Sequence, residues 1–180
     1  DVAADYAQHI PTRVIADMLG VPEADGDIFR GFIHRILERA GQVTGVELED
    51  TMIYYLSGVV ADHRAHPRDD LVQFLLDARI DGQPLGEDHV VGTMALLLIA
   101  GIDTTWSAIG ASLWHLAQHP GDRRRLREEP DLLPFAIEEL LRAYAPVTMA
   151  RLVAEDVEIG GEQLHDGDWV LLPFPAANRD

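Results

Sequence analysis

The sequence predicts a mainly α-helical fold with a long central helix and a small β region after residue 146. Three observations carry that prediction. Apolar residues recur at helical spacing through most of the first 145 positions. Residues 87–119 form one unbroken helical pattern, apolar nearly all round between Val90 and Trp114. Beyond Pro146 the period switches to that of short strands, punctuated by Gly160-Gly161 and Asp166-Gly167-Asp168. We read residues 1–180 as part of one domain, with a helical core over 1–145 and a β region over 146–180.

The elements follow in order. Residues 1–19 place Val2, Tyr6, Ile10, Val14, Ile15, Met18 and Leu19 on a helical stripe that Pro11 breaks or restarts, and Gly20-Val21-Pro22 ends it. Asp27 is expected to cap a helix running to about Ala40, with Ile28, Phe32, Ile33, Ile36 and Leu37 on its apolar face. Residues 41–45 read as a loop and 48–66 as a helix stopped by Pro67. Asp69 or Asp70 caps a short helix through about Ala78, and residues 81–86 have turn chemistry. The long helix opens at Glu87 or Asp88 and stops at Pro120. A short charged helix over 122–128 and a helix over 133–144 come next. Strands are expected at 147–153, 157–159, 163–164 and 169–172, and only after Pro146.

Composition bounds the function. The formal net charge of -17 argues against non-specific nucleic-acid binding. It suits an acidic protein that docks a basic partner. No uninterrupted apolar run reaches the ~18 residues of a membrane span, and the start Asp1-Val2-Ala3-Ala4-Asp5 has no signal-peptide character. The expected location is cytoplasmic. With no cysteine, disulfides, thiolate metal sites and cysteine nucleophiles are excluded within this chain.

Two segments carry possible chemistry. Gly101, Asp103 and Thr104 interrupt the long helix in its most apolar part, and all three are unfavourable choices for a helix interior. A glycine there lets a flat ligand approach the backbone, a hydroxyl holds a water, and a carboxylate relays protons to it. A solvent-facing polar stripe explains the segment equally well. Glu139-x-x-Arg142 alone reads as a surface pair. His115 and His119 have metal-ligand spacing, but a helix end with exposed rings is the simpler account. His63 and His66 read as the exposed end of a helix, Arg123-Arg124-Arg125 as a solvated face, and Trp106 and Trp114 as core.

The order of motifs says more than each one. Ala100-Gly101-x-Asp103-Thr104-Thr105 is followed by Glu139-x-x-Arg142, Pro146, Arg151, the 155–161 and 167–170 turns, and Ala177-Asn178-Arg179-Asp180. This series, with Asp17-Met18-Leu19-Gly20-Val21-Pro22 near the start, resembles the bacterial cytochrome P-450 family of haem–thiolate monooxygenases. The resemblance implies a haem (heme) cofactor, O2, a small organic substrate and a ferredoxin-like or flavin redox partner, with no nucleic acid and no membrane span. It implies that Asp103 and Thr104 deliver protons to dioxygen, and that Ala100 and Gly101 line the oxygen groove. Leu96, Ile99 and Val147 would contact substrate. Glu139 and Arg142 would form an inward-turned structural pair, and Arg151 would pair with a haem propionate.

The family's axial ligand is a cysteine thiolate in a later loop, so no metal ligand is expected in this chain. Both ends read as cut, the third partner of the Glu139–Arg142 network is expected beyond the chain, and the 180 residues alone are expected to be inactive. The rival reading is a haem-free scaffold of the same fold that binds or activates a partner enzyme; an unrelated helical binding domain is the third.

Overall fold

A computed structural model describes residues 1–38 and 51–180. The end of the second expected helix near Ala40, the loop at 41–45 and the start of the next helix at Leu48 lie outside the described residues. The chain divides into two compact units, Asp1–Trp106 and Ser107–Asp180.

In the first unit a π-helical turn, Ala3–Ala7, precedes α1 (His9–Met18). Pro11 lies in the first turn of α1, where its missing N–H costs no intrahelical bond. The end of α1 is built by Gly20: its N–H donates to the Asp17 carbonyl and the Val21 N–H to the Ala16 carbonyl, both at 3.0 Å, while Gly20 itself has φ +60°. That is a Schellman closure, which needs a left-handed residue.

A 3₁₀ turn, Glu23–Asp25, leads into α2 (Gly26–Ile33), which buries Phe29, Phe32 and Ile33 and runs into a π turn, His34–Glu38. The expected Asp27 cap is not formed. The helix starts two residues earlier, at Gly26, and Asp27 pairs instead with Arg30 on its own first turn.

α3 (Met52–Ala65) is capped by Thr51, whose side chain accepts from the Tyr54 N–H, and α4 (Leu71–Asp77) by Asp70, which accepts from the Gln73 N–H. A hairpin of β1 (Arg79–Ile80) and β2 (Gln83–Pro84) follows. It corrects the expectation that strands occur only after Pro146. Asp81 and Gly82 both take positive φ, 52° and 77°, and that pairing turns two strands tightly enough to bond.

α5 (Glu87–Gln118) has 32 residues and is the longest helix. Its Val90, Val91, Met94, Ala95, Leu98 and Ile102 form one stripe in a core shared with Leu19, Phe29, Leu56, Val60 and Val72. Burial along its middle is as expected for this stripe, and Leu97 and Ile109 are half-buried, while Leu96 on the far side is 65% exposed. By length and composition α5 could cross a membrane. Its middle carries Asp103, Thr104 and Thr105, which the hydrocarbon of a bilayer would penalise.

The second unit contains α6 (Pro120–Glu128), α7 (Leu133–Ala143) and two antiparallel strand pairs. β3 (Met149–Leu152) pairs with β6 (Trp169–Leu172), placing Arg151 opposite Val170. β4 (Val157–Ile159) and β5 (Glu162–Leu164) form a hairpin across Gly160 and Gly161, at φ 62° and 87°. A short α8 (Phe174–Ala177), not anticipated from the sequence, closes the chain. Among the described residues Val153 is the one buried apolar side chain of this unit.

Candidate functional site

The candidate site on the first unit is a face of α5. Turning 100° per residue from the buried stripe of Leu98 and Ile102, the opposite side of the helix carries Leu96, Ala100 and Asp103, with Ile99 and Thr104 flanking them. Leu96 and Ala100 are exposed, and Ile99, Asp103 and Thr104 are half-buried. The face is apolar at one end and polar at the other.

The Thr104 hydroxyl donates to the Ala100 carbonyl at 2.7 Å. A threonine hydroxyl inside a helix can bend the hydrogen-bond ladder, yet α5 is helical without interruption between Ala100 and Thr105. An i−4 back-bond satisfies the hydroxyl on a carbonyl that still belongs to the helix, so no opening is required. Asp103 has no hydrogen-bond or ion-pair partner among the described residues. An unpaired carboxylate thus sits next to a hydroxyl whose oxygen lone pairs are free to accept.

Gly101 points elsewhere. A Cβ on it would lie 2.9 Å from Ile15 Cδ1 and 3.5 Å from Ile15 Cγ1. Ile15 is itself buried. The missing side chain therefore admits α1, which accounts for this glycine without a ligand.

In the second unit Arg142 grips Glu139 with two parallel bonds, Nε to Oε2 and Nη2 to Oε1, each 2.7 Å. This fork holds the Glu139 carboxyl below its ordinary range and raises the Arg142 guanidinium further. The mutual contact is present, and in this chain both side chains are open to water. Glu139 is 61% and Arg142 47% exposed, because α7 has no buried residue in this chain. Arg142 also reaches the Asn178 carbonyl, the Asn178 side chain donates to the Arg142 carbonyl at 3.1 Å, and Arg179 Nε donates to the Ala143 carbonyl at 3.0 Å. The Asn178-Arg179 pair thereby satisfies carbonyls that the end of α7 leaves without helical partners.

Arg151 is exposed on β3, with its Nη1 on the Ala150 carbonyl at 2.9 Å and no carboxylate partner among the described residues. Val147 lies half-buried just before β3.

Taken unit by unit, each set of residues has the chemistry of one part of a haem environment. Arg151 offers a guanidinium not neutralised by an acid, and α5 offers an uncovered face of Leu96 and Ala100. The thiolate is not among them, as the chain contains no cysteine.

Sequence reasoning missed two features. His63 is completely buried rather than exposed, and bonds both the Val59 carbonyl and Asp70 at 2.8 Å. The signal was present: Leu56, Val60 and His63 fall at i, i+4 and i+7 on one face. His115 is not a freely exposed ring but bonds the Tyr144 hydroxyl at 2.8 Å and Asp122 at 3.0 Å, with His119 stacked at 4.1 Å. Trp106 is half-buried against the first unit's core, whereas Trp114, expected there too, is 51% exposed and meets Tyr144 edge-on.

The model of the family described as Cytochrome P450 matches residues 27–180. Among curated proteins, the vitamin D(3) 25-hydroxylase of Pseudonocardia autotrophica is 37% identical, over 100% of this chain and 45% of its own length. The cyclomarin C epoxidase of Salinispora arenicola is 36% identical, over 100% and 48%. A Bacillus megaterium cytochrome P450 solved with testosterone superposes with a TM-score of 0.83 at 33% identity, covering 100% of this chain and 50% of that one. The chain spans about half the length of the curated relatives it matches. With the acid–alcohol pair on its long helix, the Glu-x-x-Arg fork and a family match over most of its length, the chain belongs to the cytochrome P450 family.

Proposed function

We propose that the full-length protein is a haem-dependent monooxygenase that inserts one oxygen atom of O2 into an apolar organic substrate. The observation that carries this reading is the α5 face, where an unpaired Asp103 adjoins the Thr104 hydroxyl beside Leu96, Ile99 and Ala100. When bound, haem supplies the redox chemistry of oxygen activation. Thr104 holds a proton at Oγ1 and passes it on, and Asp103 replenishes that proton. Leu96, Ile99 and Val147 exclude water and favour an apolar substrate. Ala100, a small residue on the exposed side, would leave room for the cofactor. The expected role of Gly101 in the same groove finds no support in its packing on Ile15. Arg151 would hold a haem propionate, and the Glu139–Arg142 fork steadies α7. A hydroxylase and an epoxidase among the relatives support the reaction class. Electrons would come from a ferredoxin-like or flavin partner, in the cytoplasm.

The test is product formed per NAD(P)H consumed by the full-length protein. Thr104→Ala is expected to consume reductant with little product, and Asp103→Asn to slow turnover about 100-fold. Unchanged coupling and rate in both variants would reject these roles.

A further inference from the structure

The His63–Asp70 contact leaves little freedom in where its protons are. The His63 ring is fully buried, and each of its nitrogens faces an acceptor. Nδ1 lies 2.8 Å from the Val59 carbonyl, one turn earlier on α3. A carbonyl only accepts, so Nδ1 must carry a hydrogen. Nε2 lies 2.8 Å from Asp70 Oδ2. Either Nε2 also carries a hydrogen and the ring is a cation, or the carboxyl is protonated and donates. The second oxygen of Asp70 accepts from the Gln73 N–H at 3.0 Å, which favours the carboxylate. Burial by itself would raise the Asp70 carboxyl, but the Gln73 N–H and the His63 ring outweigh it, and the net displacement is downward.

We propose that the buried His63 and the partly exposed Asp70 are an ion pair, with His63 protonated on both ring nitrogens, and that the pair is the clamp that seats the Gly20 turn on the α3–α4 junction. The seating is tight. A Cβ on Gly20 would lie 2.4 Å from Asp70 Oδ2 and 3.4 Å from His63 Nε2. Arg68, in the α3–α4 connection, donates to the Gly20 carbonyl at 3.1 Å and pairs with Asp62, which also bonds His66 at 3.0 Å. The titratable and charged groups around the clamp are therefore Asp70, Arg68, Asp62 and His66, with the turn after α1 presenting the backbone of Gly20. The consequence reaches beyond stability. Gly20, Val21 and Pro22 form one wall of a groove of about 1070 Å³ that Tyr55, Asp62 and Arg68 also line. The clamp fixes the position of that wall.

The experiment is a two-bond ¹H–¹⁵N correlation of histidine-labelled full-length protein near neutral pH, on the wild type and Asp70→Asn. In the wild type the His63 signals are expected to show both nitrogens protonated. In Asp70→Asn the neutral amide can donate, so Nε2 is expected to move to the unprotonated position while Nδ1 stays protonated. That change also assigns the residue. A wild-type His63 with one unprotonated nitrogen would overturn the ion pair. A Gly20 amide environment unchanged between wild type and Asp70→Asn would overturn the clamp.

Discussion

The two units of this chain are held together in different ways. Residues 1–106 share a continuous apolar core in which Leu19, Phe29, Leu56, Val60, Met94, Leu98 and Ile102 are almost completely withdrawn from water. Residues 107–180 bury a single apolar side chain and rely on directed polar contacts: the Arg142 fork, the Asn178 and Arg179 bonds to the end of α7, and the Tyr144–His115–Asp122 chain. Burying a large apolar side chain contributes about 1.5–3 kcal/mol. A net hydrogen bond contributes about 1 kcal/mol, and less where water competes. The first unit therefore draws its stability from packing, and the second draws mainly its geometry from polar staples.

The largest effect tests the packing side. Leu98→Ala, in the core stripe of α5, is expected to cost about 2–5 kcal/mol in denaturant unfolding of the 180-residue chain. Leu171→Ala, at a strand position that is 65% exposed, is expected to cost well under about 1 kcal/mol. Equal losses would break the comparison.

A backbone test comes next. Gly20→Ala meets both a left-handed φ and the Asp70 carboxylate, whereas Gly160→Ala meets a left-handed φ of 62° with open space around it. The strained conformation alone costs about 1–2 kcal/mol. Gly20→Ala is expected to exceed that, because the His63-bonded carboxylate of Asp70 must move as well, and Gly160→Ala is expected to stay within it. Similar melting shifts for both would mean that the Asp70 contact gives way easily.

Acid gives a smaller effect with a definite sign. The Asp70 carboxyl is held below its ordinary value in the fold, net of the burial that opposes this. Its contribution is therefore fully present above the unfolded value, near pH 4. It is lost as pH falls through the depressed folded value. Wild type is expected to lose more stability than Asp70→Asn between pH 5 and pH 2. Parallel curves would show that Asp70 does not carry the dependence.

These sites also show how much a linear reading recovers. The helical core, the long helix, the Gly160-Gly161 hairpin and the motif order were legible, because hydrophobic period and turn chemistry are local properties. The partners of His63 were not. Its burial was visible in the Leu56–Val60 stripe, but the contact with Asp70 needs the α3–α4 connection to turn back. The length of helix end effects misled in the same way for His115, whose partners lie on α6 and just after α7. The glycine at 101 suggested a ligand, since sequence cannot distinguish space left for a cofactor from space left for Ile15. Of the proposed site, the α5 residues were named from motif order, but a helix apolar nearly all round gave no sign that Leu96 and Ala100 would be the uncovered ones. The exposure of Glu139 and Arg142 in this chain was not predictable either, because a spacing of three residues fixes their mutual contact and says nothing of what covers them.

That pair supplies the smallest expected effect and sharpens the comparison. Both side chains are substantially exposed here, so salt and water screen the attraction even though the fork geometry is good. Glu139→Gln in the 180-residue chain is expected to leave the unfolding midpoint within error of wild type, with no added sensitivity to salt. The same substitution in a full-length protein is a different measurement. If further chain covers α7, the guanidinium of Arg142 loses its carboxylate in a place that water no longer reaches. Removing one partner then leaves an uncompensated charge, and a clear loss of stability is expected. A small effect in both proteins would class the fork with ordinary surface pairs. A small effect in the short chain with a large one in the long would show that the second unit's polar staples are set in place for a covering segment rather than for water.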